Sequence, residues 1–155
     1  MWEFFIILII VLLVVIISYF INTKQKQTRL KRVLDKLSEI GVVNKSQIKA
    51  YDYDLIINEV KYLIKLVNIG RYKEVSFNSN SHWQLKPYKN IKLINPQGFD
   101  KLAGHKIIIL IGSPEKVVKH INENEIVFIK PLEKCYTYNV FLEEELELFE
   151  SFIRK

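Results

Sequence analysis

From Phe4 to Ile21 the chain runs eighteen residues without a charge, almost all of them Ile, Leu, Val or Phe. At 1.5 Å of rise per residue a helix of that length spans roughly 27 Å, close to the ~30 Å hydrocarbon thickness of a bilayer. A soluble fold would have to bury such a helix on every side, more than a domain of the remaining 134 residues can supply. Trp2 and Tyr19 fall at the two ends, where amphipathic rings prefer the headgroup level. Met1-Trp2-Glu3 offers no basic leader and Ser18-Tyr19-Phe20-Ile21 no small-residue cleavage site, so the segment reads as an uncleaved anchor.

Glu3 is the only charge before Lys24, and the residues after Ile21 hold 16 acids against 23 bases, about +7. Six of those bases follow the apolar run at once: Lys24, Lys26, Arg29, Lys31, Arg32 and Lys36, opposed only by Asp35. The positive-inside rule then places the chain in the cell membrane, single-pass, with its N-terminus outside and its C-terminal domain cytoplasmic. The same bases suit an anionic lipid surface, at about 1 kcal/mol for each well-placed one. Nucleic acid rewards lysine and arginine equally, so charge leaves that partner open. Leu30, Val33, Leu34, Leu37 and Ile40 recur at helical spacing and Gly41 is a natural stop. The expected organisation is an anchor over 1–21, a basic amphipathic juxtamembrane helix over 22–41 and a cytoplasmic α/β (α+β) domain over 42–155.

In that domain the spacing predicts a short helical turn over 44–50. Two-residue alternation then gives a hairpin, Tyr51 to Val67, turning at Asn58-Glu59. Gly70 breaks its second strand; further strands are expected over 73–78 and 82–85, an extended piece over 91–94 and a short helix over 97–102. Lys106 to Ile111 is a continuous apolar run, the mark of a central strand covered on both faces. Gly112-Ser113-Pro114 then turns the chain, with Ser113 and Pro114 placed to open a helix that buries Val117, Val118 and Ile121. With a strand at Glu125 to Ile129 this makes a βαβ unit over 106–129. A strand over 136–141 and a terminal helix over 143–154, striped by Leu142, Leu146, Phe149 and Ile153, complete a small mixed sheet.

The order of these elements over residues 51–129 resembles the core of the restriction-endonuclease-like, or PD-(D/E)xK, nucleases. In that family an acid on one strand and an acid-x-lysine on the next chelate magnesium and activate water. Asp54 matches the first acid, and Tyr62-Leu63-Ile64-Lys65-Leu66-Val67 occupies the second strand. There Lys65 stands where the family has its acid and Val67 where it has its lysine. The resemblance thus implies a degenerate, inactive member. A literal Glu-x-Lys at Glu59-Val60-Lys61 supplies the alternative, a magnesium-dependent site of Asp54, Glu59 and Lys61 acting on nucleic acid. Against it, the hairpin puts Glu59 at its tip, sets Asp52 across from Lys65 and places Asp54 diagonal to both Lys61 and Lys65. That is a cross-strand charge ladder on a solvated face.

No other constellation is complete. Cys135 is the lone cysteine, and His82, His105 and His120 have no metal-ligand spacing. The turn at Gly112 could offer backbone amides to an anion but lacks the glycines and lysine of a phosphate loop. Trp83 beside His82, with Lys86, Tyr88 and Lys89, could form an aromatic and basic surface for single strands, or a half-buried strand with solvated lysines. Asn44-Lys45-Ser46 matches the glycosylation sequon but would face the cytoplasm. The expectation is a membrane-anchored, non-catalytic module without a cofactor, acting on an unknown protein partner or on the anionic membrane surface.

Overall fold

Helix α1 runs unbroken from Trp2 to Ile40 in the structure, a computed structural model that describes residues 2–87, 90–131 and 133–153. The apolar segment over 1–21 and the basic segment over 22–41, expected as two parts, are therefore one helix, because no glycine or proline interrupts residues 4–40. Its apolar first half is exposed throughout, and among the described residues this one helix is long and apolar enough to cross a membrane. The expected stripe holds, with Val33 and Leu37 buried. Gly41 ends the helix, its amide donating to the Leu37 carbonyl at 3.1 Å. A side chain there would meet the Ile56 carbonyl oxygen at 2.5 Å, so the exit is a close approach that only glycine permits. The chain divides into two compact units, residues 1–34 and 35–155, so the last turn of the helix belongs with the domain.

The second unit holds two sheets. β1 (Val42–Lys45), β2 (Tyr53–Ile57), β3 (Val60–Asn68), β7 (His105–Ile111), β11 (Tyr138–Leu142) and β10 (Lys134–Cys135) form the first, in that spatial order. β4 (Glu74–Phe77), β5 (Trp83–Lys86), β6 (Lys92–Ile94), β8 (Lys116–Asn122) and β9 (Glu125–Phe128) form the second, ordered β6-β5-β4-β8-β9. The expected hairpin is present in the expected register, with Ile57 opposite Val60 and Asp54 opposite Leu63. Asn58 and Glu59 both take positive φ, 47° and 65°, which is the geometry a two-residue hairpin turn needs. β7 lies between β3 and β11, parallel to both, and every residue after His105 is buried, as its continuous apolar run requires.

Three sequence expectations are corrected, the first being the single mixed sheet, which is two sheets of six and five strands. Residues 44–50 contribute the end of edge strand β1 and a turn, because Val42 to Lys45 find β2 as an antiparallel partner. The βαβ unit over 106–129 does not form: β8 and β9 are an antiparallel hairpin in the second sheet, and no helix lies between β7 and β8. Val117, Val118 and Ile121 fit a helical stripe, but β-branched residues also suit a strand, and β4 offers a parallel neighbour, with Val75 opposite Val117. Each of β3 and β7 leads into a strand of the other sheet, β4 and β8. The two passages stack, joined where the Ile69 amide donates to Ile111 and the Glu115 and Lys116 amides donate to Lys73.

The sheets face each other across one core. Leu63, Val67, Ile108, Leu110 and Val140 come from the first, Val75, Phe77, Trp83 and Leu85 from the second. Trp83, Phe77 and Tyr138 meet edge to face or tilted with centroids 5.4–5.7 Å apart. Burial of a side chain such as Phe77 is worth about 1.5–3 kcal/mol of transfer free energy. On the other face of the first sheet the terminal helix α2 (Leu146–Ile153) packs Phe149 against Phe141 and Tyr62. Leu146 and Phe149 are buried as the expected stripe requires; Arg154 and Lys155 lie outside the described residues.

Candidate functional site

The basic segment is built first by helical geometry. Lys24, Lys26, Arg29, Lys31 and Arg32 are all exposed on α1. At 100° per residue their azimuths measured from Lys24 are roughly 0°, 200°, 140°, 340° and 80°. The bases therefore circle the axis as a collar instead of lining one face. They begin about 5 Å and end about 17 Å beyond Ile21 along the helix. Bases on every side of a helix match a charged surface that surrounds it, whereas a duplex would demand a one-sided stripe. Lys36 behaves differently: its ammonium reaches the Glu147 carboxylate of α2 at 3.1 Å, within the domain.

In the hairpin, Lys61 stands 3.0 Å from the Asp54 carboxylate, the diagonal pair the register predicts. Hydrogen bonding to Asp54 raises the Lys61 ammonium above its ordinary pKa of 10.5, and the Tyr51 ring lies 5.9 Å from it. Glu59 sits exposed at the turn. The rest of the ladder does not form as expected. Lys65 is turned inward, because it shares the sheet face of Leu63 and Val67, and only 7% of it is exposed. Its ammonium donates to the Ala50 carbonyl at 2.6 Å and lies 5.7 Å from the centre of the Phe99 ring. Burial lowers its pKa, against a smaller opposing effect of Asp52. Asp52 in turn accepts the Leu66 amide at 2.7 Å.

For a divalent cation this donor set is poor. One carboxylate is already neutralised by Lys61, and an ammonium stands where a second acid would be needed. Among the described residues no group of three or more His, Cys, Asp or Glu side chains is placed to hold a metal ion. Trp83, weighed as a stacking platform, is fully buried with its indole N–H donating to the Asn80 carbonyl, so it is core. Tyr88 and Lys89 lie outside the described residues. The turn at Gly112 leads into a strand, so the anion site expected of a helix start has no helix to build it.

What the sequence reading missed is a groove. β2 begins its pairing with Tyr53 opposite Ile64, so β3 runs four residues beyond its antiparallel neighbour. Past that point an open groove of about 360 Å³ lies between the sheets. Val67, Leu85 and Ile94 form its apolar wall, and Lys65, Lys92 and Asp52 are its charged groups. The signal was present in the alternation, since Lys65 falls between Leu63 and Val67 on one face. A second inward lysine, Lys106, is 5% exposed, donates to the Asp100 carbonyl at 2.8 Å and has its pKa lowered by burial.

No family model, curated protein or solved structure matches this chain.

Proposed function

We propose that the chain is a single-pass protein of the cell membrane, its N-terminus outside and its small, non-catalytic α+β domain presented to the cytoplasm. There it acts through protein contacts or through the anionic membrane surface. The observation that carries this reading is the exposed apolar half of α1 running directly into a collar of five bases. Positive charge next to a span favours retention on the cytoplasmic side, and bases on all sides of the helix match a headgroup layer that surrounds it.

Protease added to intact cells expressing the full chain tests the orientation. The domain should survive until the membrane is permeabilised; digestion from outside overturns the assignment. The non-catalytic part is tested separately by incubating the full chain in detergent with single- and double-stranded DNA and RNA plus magnesium. Cleavage that disappears in Asp54→Ala would replace it with the nuclease reading.

A further inference from the structure

We infer that the groove beside Lys65 is a binding site for a small organic phosphate with an apolar body. Burying an ammonium is costly unless its donors are used. Lys65 has three N–H groups, of which the Ala50 carbonyl takes one, while the Phe99 ring face gives weaker support. Lys65 is also one of the residues that line the open groove. Lys92, exposed on edge strand β6, adds a second positive charge to the lining. Asn68, Asn95 and Gln97 belong to the same lining and are residue types that carry amide donors a phosphate can use. A phosphate monoester offers three acceptor oxygens and a charge near −2, which matches two ammonium groups.

Among the described residues Asp52 is the one acid in the lining, and its carboxylate is held by the Leu66 amide. The wall of Val67, Leu85 and Ile94 has no polar side chain and would cover the hydrocarbon part of the ligand. The groove lies where β3 outruns β2, and Lys65 belongs to its lining although only 7% of the residue is exposed. Water alone can satisfy the spare donors, but an anion also neutralises the charge that burial penalises. The inference stands on the domain alone and is independent of the orientation of the anchor.

The test uses the full chain in phosphatidylcholine nanodiscs, with hexyl phosphate as the titrant followed by calorimetry and hexanol as the uncharged control. Hexyl phosphate should bind and hexanol should not. Lys65→Met should weaken binding roughly tenfold or more, the loss expected for hydrogen bonds to a charged group. Lys92→Glu, an exposed change that leaves the core intact, should weaken it severalfold and guards against a folding defect in the first variant. Binding of hexyl phosphate unchanged in both variants, or no binding by the folded wild-type chain, overturns the site. Nanodiscs containing phosphatidylglycerol distinguish the source of the phosphate. Competition with hexyl phosphate that depends on Lys65 assigns the site to a lipid headgroup, and no competition assigns it to a soluble phosphate ester.

Discussion

Lys61 and Asp54 meet at 3.0 Å one diagonal step across the β2–β3 hairpin, so the acid that a nuclease reading would place on a metal is held by an ammonium. Both residues point to the same sheet face as Leu63, yet Lys61 remains half exposed while Asp54 is mostly covered. The pair therefore anchors the hairpin where it leaves the core.

The Lys61 pKa is raised above 10.5 by that contact, which fixes the sign of a pH effect. Its contribution is fully present below 10.5 and is lost as pH climbs through the higher folded value. Chemical denaturation across the alkaline range should show this small loss in the wild type and not in Asp54→Asn. An identical alkaline profile in the variant would show that the ion pair does not contribute.

Glu59 takes φ of +65° at the second position of the hairpin turn, a conformation that costs a side chain with a Cβ about 1–2 kcal/mol. Glu59→Gly converts the turn to Asn-Gly, the favoured sequence for that geometry. Part of the gain is offset by the freer unfolded chain. We expect a net stabilisation of about 0.5–1 kcal/mol, read as a higher denaturation midpoint. A loss of stability would mean that Glu59 makes a contact worth more than the strain it carries.

Cys135 is fully buried, and burial pushes its thiol from 9.0 up to about 12. Ellman's reagent at pH 8 should leave it unmodified in the native chain and react on addition of denaturant. Because the folded thiol holds its proton after the unfolded one has lost it, stability should fall as pH rises between 9 and 12. Cys135→Ser, tested as a folded variant, should lack that component. Rapid native labelling would contradict the burial.

The collar predicts a topological effect. Replacing Lys24, Lys26, Arg29, Lys31 and Arg32 together by glutamine removes most of the charge asymmetry between the two flanks of the apolar segment. A fraction of chains should then insert with the domain outside, detected as protease-sensitive material on intact cells. Retained single orientation would place the topology signal elsewhere in the chain.

Much of the local structure was legible because it depends on neighbours in sequence. Asn58-Glu59 lies at the midpoint of two alternating runs, and a two-residue turn there sets every cross-strand partner from Ile57 and Val60 to Tyr53 and Ile64. The terminal helix was equally local: Leu146 and Phe149 are three apart, and the acids at 143–145 precede them. The candidate site was legible only in part. The alternation grouped Lys61, Leu63, Lys65 and Val67 on one face but did not say that a second sheet covers the upper end of it. Lys61 thus kept its expected partner, whereas Lys65 lost a solvated ladder and gained the Ala50 carbonyl and a groove.

Residues 4–21 determine an apolar helix long enough to span a membrane by themselves, because uncharged aliphatic side chains and intrahelical hydrogen bonds depend only on neighbours in sequence. The basic collar follows from the same helix, since azimuth depends only on position along it. Only tertiary structure decided that residues 116–122 are a strand, that two sheets replace one, and that Lys65 faces inward. The reason is range: β8 takes its identity from β4, with Lys116 paired to Glu74 forty-two positions earlier. A segment whose apolar positions fit either period adopts the one whose backbone hydrogen bonds a distant strand can complete.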